Sequence, residues 1–218
     1  TKILSYVMVL VYSYYITPEE LGYYDVVLTT ISMIQPLVIF QLNDGVFRFL
    51  IESEKEQSKA IIGNSTKFLC LTTLVTEILF AVFCAFVNIQ YALWVGLLLA
   101  LTMFFILFQD IIRGLGLNKE YAFYGVLNSV VMLVMEVVGL MILHLGVEVL
   151  IVSKACAYGV CIVTMLARHK EIFAALRERM SKEVLGPILR YSAPLVPNTI
   201  CWWVVNSSDC YIILFAVG

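Results

Sequence analysis

Residues 91–112 read YALWVGLLLALTMFFILFQDII, with Asp110 as the one charged side chain. A helix rises 1.5 Å per residue, so this stretch matches the roughly 30 Å hydrocarbon core of a bilayer. In lipid a helix satisfies its backbone groups within one segment, which an extended chain does not. The stretch therefore predicts a membrane-spanning helix, and its neighbours are read against it.

Outward from it, apolar windows recur at 24–47, 67–87, 121–143, 147–167 and 192–217, with a shorter one at 3–15. Seven helices follow, six complete and the first truncated, which makes the chain an all-α polytopic membrane protein. Composition agrees. Of 218 residues, 61% are hydrophobic and 14% charged, where a soluble domain is about half apolar and about a quarter charged. An ordinary soluble enzyme is excluded, and a net charge of -2 argues against a nucleic-acid partner. Because the chain begins at Thr1 within a short apolar run and stops at Gly218 directly after another, we expect a piece of a longer protein.

Six cysteines lie in apolar runs and none forms a CxxC, so they read as packing residues. With His144 and His169 the only histidines, neither a metal site nor a catalytic dyad is supported, and we expect no enzyme activity and no cofactor.

The polar breaks set the orientation. Those at 16–22, 88–90 and 144–148 carry Glu19, Glu20, His144 and Glu148 but no Lys or Arg. The alternate breaks carry Arg48, Lys55, Lys59, Lys67, Arg113, Lys119, Arg168, Lys170, Arg177, Arg179, Lys182 and Arg190. With Lys2, 13 of the 14 basic residues fall on one side, and Lys154 lies within a span. By the positive-inside rule the N-terminus and the 168–190 linker are cytoplasmic. In that linker Ile172, Phe173, Leu176, Met180 and Val184 recur at helical spacing among basic residues. The pattern fits a helix lying in the membrane interface, or one docked on other helices.

Ionisable groups at membrane depth are costly and are functional candidates by default. Asp44 and Arg48 are spaced i,i+4, and Asp110 and Arg113 i,i+3, so each pair can close on one helix face. Otherwise Arg48 and Arg113 offer cations to an anionic substrate at the inner mouth. Glu136 and Lys154 lie at equal distances from a turn near 145. They match in depth for an ion pair, either structural or facing substrate, and Asp209 competes for Lys154. Glu77, near mid-membrane, has no local counter-charge, and its depth-matched neighbours are Leu101 and Thr102. It is the candidate for ion coupling, against the plainer reading of a neutral acid hydrogen-bonded within the bundle. Pro36 interrupts the second span, and Pro194 with Pro197 the start of the seventh; discontinuous helices at membrane depth mark sites and hinges in transporters. Trp94, Trp202, Trp203 and the tyrosines of Tyr12–Tyr24 read as interface anchors and packing residues rather than sugar platforms.

Three stretches resemble polysaccharide flippases of the Wzx type. Tyr14-Tyr15-Ile16-Thr17-Pro18-Glu19-Glu20-Leu21-Gly22-Tyr23-Tyr24-Asp25 is similar to their first external turn, and Gly45-Val46-Phe47-Arg48-Phe49 to the end of their second helix. Tyr191-Ser192-Ala193-Pro194-Leu195-Val196-Pro197-Asn198, with Trp202-Trp203 and Asn206-Ser207-Ser208-Asp209, is similar to the entry into their seventh. The resemblance implies the MATE-like (MOP) superfamily, with two six-helix lobes around a central cavity. On that template residues 1–167 are the N-lobe, 168–190 a cytoplasmic amphipathic linker, and 191–218 the first helix of a C-lobe. It further implies alternating access, carrying a lipid-linked oligosaccharide across a bacterial inner membrane for lipopolysaccharide or capsule export. The expected partners are that lipid, membrane lipids, H+ or Na+, and polysaccharide assembly proteins. Arg48, Arg113, Lys154, Glu136, Asn206 and Asp209 stand as substrate-pathway candidates. Cys210 departs from the family pattern, which has Arg there. Two other functions compete: a cation antiporter of the same superfamily, expected to carry acidic cavity residues, and a membrane-embedded polymerase or glycosyltransferase, expected to need a long external loop.

Overall fold

The computed structural model describes residues 12 and 14–217 and, of these, the side chains of all but Glu171 and 207–217. The helices are α1 (Pro18–Ile39), α2 (Leu42–Ile51), α3 (Lys55–Phe86), α4 (Ala92–Gly114), α5 (Asn118–Val137), α6 (Glu148–Arg168), α7 (Lys170–Ala175), α8 (Lys182–Ser192) and α9 (Leu195–Val217). A single π-helical turn, Val138–Ile142, extends α5. Among the described residues there is no strand. The chain is an all-α, multi-pass membrane protein.

Among the described residues, five helices are long and apolar enough to cross a membrane: α1, α3, α4, α5 with its π turn, and α6. The window at 192–217 corresponds to α9, whose side chains are described only as far as Asn206. The window at 3–15 lies almost wholly outside the described residues.

α4 is the axis of the bundle and packs against α1, α2, α3, α5 and α6. Its sequence explains the position: Leu98, Met103, Leu107, Ile111 and Ile112 are fully buried and point around the helix rather than to one side. A helix that is apolar all round is stable only when surrounded. In its most apolar window 56% of α4 is buried, against 11% for α3. α3 instead exposes Leu71, Leu74, Ile78, Leu79, Val82 and Phe86. Such a face is soluble only in lipid.

Local signals set the helix ends. Thr17 caps α1: its hydroxyl accepts from the Glu20 N–H at 3.3 Å, and the Glu20 carboxylate accepts from the Thr17 N–H at 3.1 Å. Pro18 follows at the first helical position, where its missing N–H costs nothing. The break in the second span falls later than its proline predicts. α1 continues through Pro36 to Ile39, and the chain turns at Phe40 and Gln41, both left-handed with φ of 55° and 48°. Pro36 removes one N–H and strains the turn before it, yet the helix persists for almost one more turn. The conformation at 40–41 is unfavourable for residues other than Gly. The amide of Gln41 holds it by donating to the Thr199 hydroxyl in α9.

The linker is two short helices, α7 and α8, docked on the bundle. Ile172 and Ala175 are buried against α3, and Leu185 and Ile188 against α2 and α3. Phe173 and Met180, expected on the same apolar face, are exposed. Glycines allow this contact. A β-carbon on Gly63 would collide with the Ala175 carbonyl oxygen, and one on Gly45 with the Ser192 hydroxyl. The Lys67 ammonium also donates to the Glu178 carbonyl, and the Ser181 N–H to Asn64 Oδ1 at 2.5 Å. At the start of α9, Pro194 lies in the two-residue break after Ser192, whereas Pro197 sits in the first turn and interrupts nothing. Its absent N–H would have no partner there anyway.

Candidate functional site

The end of the bundle that gathers the basic loops carries the first group. Arg48 ends α2 and Arg113 ends α4, two helices packed side by side. Neither closes the local ion pair that its spacing permits: among the described residues no carboxylate lies within 4 Å of either guanidinium. Each stacks on aromatic rings instead. Arg48 lies 4.5 Å over Tyr191 of α8, and Arg113 lies 4.3 Å over Phe47 and 5.9 Å from Tyr121. Stacking is available to a guanidinium because it is planar and weakly hydrated, and it leaves the N–H edge free to donate.

The acids that were expected to pair with them are bound otherwise. Asp110 Oδ2 accepts from Asn43 Nδ2 at 3.0 Å, and the charge of Arg113 acts on Asp44 and Asp110 through space. Consecutive residues Phe47 and Arg48 leave α2 in different directions, so the two arginines do not share one mouth. Arg113 lines a cleft of about 840 Å3 together with Phe47, and Arg48 does not.

The second group lies deeper. Glu136 is fully buried; one carboxylate oxygen accepts from the Ser153 hydroxyl at 3.3 Å and the Tyr12 phenol lies close by, while Oε2 has no hydrogen-bond partner among the described residues. Lys154 acts on it at longer range and makes no ion pair with it among the described residues; Asp25 of α1 acts on the same ammonium. In place of the expected ion pair, the Ser153 hydroxyl donates to one oxygen of the buried carboxyl and the other is left without a partner among the described residues. Equal depth on adjacent helices brought the side chains near. It did not set their rotamers.

Glu77 makes no hydrogen bond with Thr102 among the described residues. Its Oε2 lies 3.0 Å from where a β-carbon on Gly96 would stand, while Oε1 is buried without a hydrogen-bond partner among the described residues. The Thr102 hydroxyl turns back to its own helix, donating to the Leu98 carbonyl at 2.6 Å. Asn206 is exposed and donates to the Trp202 carbonyl at 2.8 Å. Asp209 lies outside the described side chains. Trp203 packs between helices: its indole N–H points to Ser32 Oγ at 2.9 Å and the Thr29 carbonyl at 3.2 Å, joining α9 to α1.

Sequence reasoning passed over Gln41 and Asn43, although Gln41-Leu42-Asn43-Asp44 is a polar cluster inside an apolar window, where each polar group needs a partner. Tyr191 entered only within the stretch that resembles the family, with no stacking role given to it.

A family model described as polysaccharide biosynthesis protein matches residues 1–218. No curated protein and no solved structure matches the chain.

Proposed function

The chain belongs to the polysaccharide biosynthesis protein family, that of the Wzx-type flippases, and from that premise we propose that it flips a lipid-linked oligosaccharide across the bacterial inner membrane. The observation that carries this reading is Arg48. Its guanidinium is exposed, stacked on Tyr191 and without a carboxylate partner among the described residues. A planar cation in that state offers parallel N–H donors to a phosphate or pyrophosphate. It costs little to reorganise, because no existing ion pair has to break.

Two discontinuities flank the position. The α1–α2 break at 40–41 and the α8–α9 break at 193–194 are joined by the Gln41–Thr199 hydrogen bond. Broken helices at membrane depth supply the points about which a transporter rearranges. Arg48 takes the phosphate at the cytoplasmic mouth while the lipid tail stays in the bilayer, and rearrangement at the breaks presents the headgroup to the other side. The role is transport, not catalysis. Glu77 is the residue we assign to ion coupling, with Lys154, Glu136, Asn206 and Asp209 along the outer part of the path.

The test is deletion of the gene in its source organism, followed by extraction of polyprenyl-pyrophosphate-linked repeat units and assignment of their leaflet with an impermeant probe. Accumulation in the inner leaflet, reversed by the parent gene but not by Arg48→Gln, is the expected outcome. Outer-leaflet accumulation would replace the reading with a polymerase. No accumulation would favour the antiporter.

A further inference from the structure

The cleft that Arg113 lines is separate from the face that Arg48 presents, and its chemistry is amphiphilic. Its volume of about 840 Å3 is that of a ligand site rather than a packing defect. Lys55, Lys59 and Arg113 stand at it against one carboxylate, Glu56, which is paired with Lys59 at 3.1 Å. Leu50 and Ile62, from the buried core, form an apolar floor. Two long helices, α3 and α5, begin at its edge without side-chain caps, and their open N–H groups add to a field that the three side chains already make positive. The cleft also sits at the end of the spans where the basic loops gather, which is headgroup depth.

We propose that this cleft binds the phosphate headgroup of an anionic phospholipid of the surrounding leaflet, with an acyl chain running over the apolar floor. A free phosphate compound shares the headgroup chemistry. The lipid is favoured because an apolar floor offers nothing to a wholly polar ligand, and because basic pockets between spanning helices hold anionic headgroups. Arg113 is thereby assigned to lipid and Arg48 to the transported substrate. The lipid site stands whether or not the chain is a flippase.

The experiment is native mass spectrometry of the intact protein in mild detergent, titrated with phosphatidylglycerol, phosphatidylcholine or inorganic phosphate. Phosphatidylglycerol is expected to bind in preference to phosphatidylcholine, and Arg113→Gln to lower its occupancy about five-fold, the worth of one cation near an anionic headgroup. The double variant Lys55→Gln, Lys59→Gln is expected to lower it further. Lys55 is exposed and Lys59 partly exposed in the first turns of α3, so this variant remains informative if Arg113→Gln fails to fold. Arg48→Gln should keep parental occupancy. Parental occupancy in the lysine double variant, equal binding of the two lipids, or an equal loss in Arg48→Gln would each overturn the site. Complete displacement of the lipid by millimolar inorganic phosphate would overturn the lipid as its occupant in favour of a soluble phosphate compound.

Discussion

The carbonyl oxygen of Ala175 occupies the space that a β-carbon on residue 63 would need. The contact joins the linker to the longest helix of the bundle across more than a hundred residues of sequence, and backbone, unlike a flexible side chain, does not yield.

Gly63→Ala is therefore expected to push α7 off α3 at a cost of about 2 kcal/mol, in the range for overpacking a tight contact. A lower melting temperature in detergent, with new protease cleavage between 176 and 181, would show it. Gly125→Ala is the control: nothing stands within 4 Å of its β-carbon position, and alanine there gains up to about 1 kcal/mol of helix propensity. Equal melting of the two variants would mean that the linker is not docked.

Glu136 tests hydrogen bonding against ion pairing. Glu136→Gln keeps an acceptor for Ser153 and should fold like the parent. Glu136→Leu strips that acceptor and is expected to cost about 1–3 kcal/mol. The reversed pair Glu136→Lys with Lys154→Glu should express no better than Glu136→Lys alone. Full rescue by the reversed pair would restore the ion-pair reading.

Glu77→Gln is expected to leave folding intact, because Gly96 opposite provides room for an isosteric amide. It should flatten the pH dependence of transport, measured in vesicles with an imposed gradient. An unchanged pH profile removes Glu77 from ion coupling.

Orientation has a direct measurement. In a cysteine-free background, Glu19→Cys and Glu148→Cys should react with an impermeant maleimide added to whole cells, and Gln57→Cys should react only after lysis. Labelling of residue 57 in intact cells would invert the assignment.

The spans were legible because a bilayer demands long uncharged windows, and the alternation of acidic and basic breaks followed from the same demand. What escaped was set by contacts distant in sequence. Pro36 marks a weakness in α1, but the turn lies at Phe40–Gln41 because Thr199 of another helix holds Gln41 there. The spacing of Asp44 with Arg48 is right for a local pair, yet Tyr191 and Phe47 outcompete the carboxylates, since a stacked guanidinium keeps part of its hydration while an ion pair on a half-exposed face gains little. The linker pattern permitted interface or docking. The absence of side chains at residues 63 and 45 decided it, and a glycine acquires that meaning through its partner.

The docked linker also determines how force passes along the chain. As a free tether, the stretch 168–190 would let its ends wander roughly 25 Å apart and would absorb any swing of the helix that follows. Pinned at Gly63 and Gly45 it has no such slack, and Ala193–Pro194 is left as the short joint between a stiff arm and α9. Ser192 ties the end of the linker to α2 at Gly45, and Thr199 ties α9 to the bend at Gln41, so the two breaks are mechanically linked.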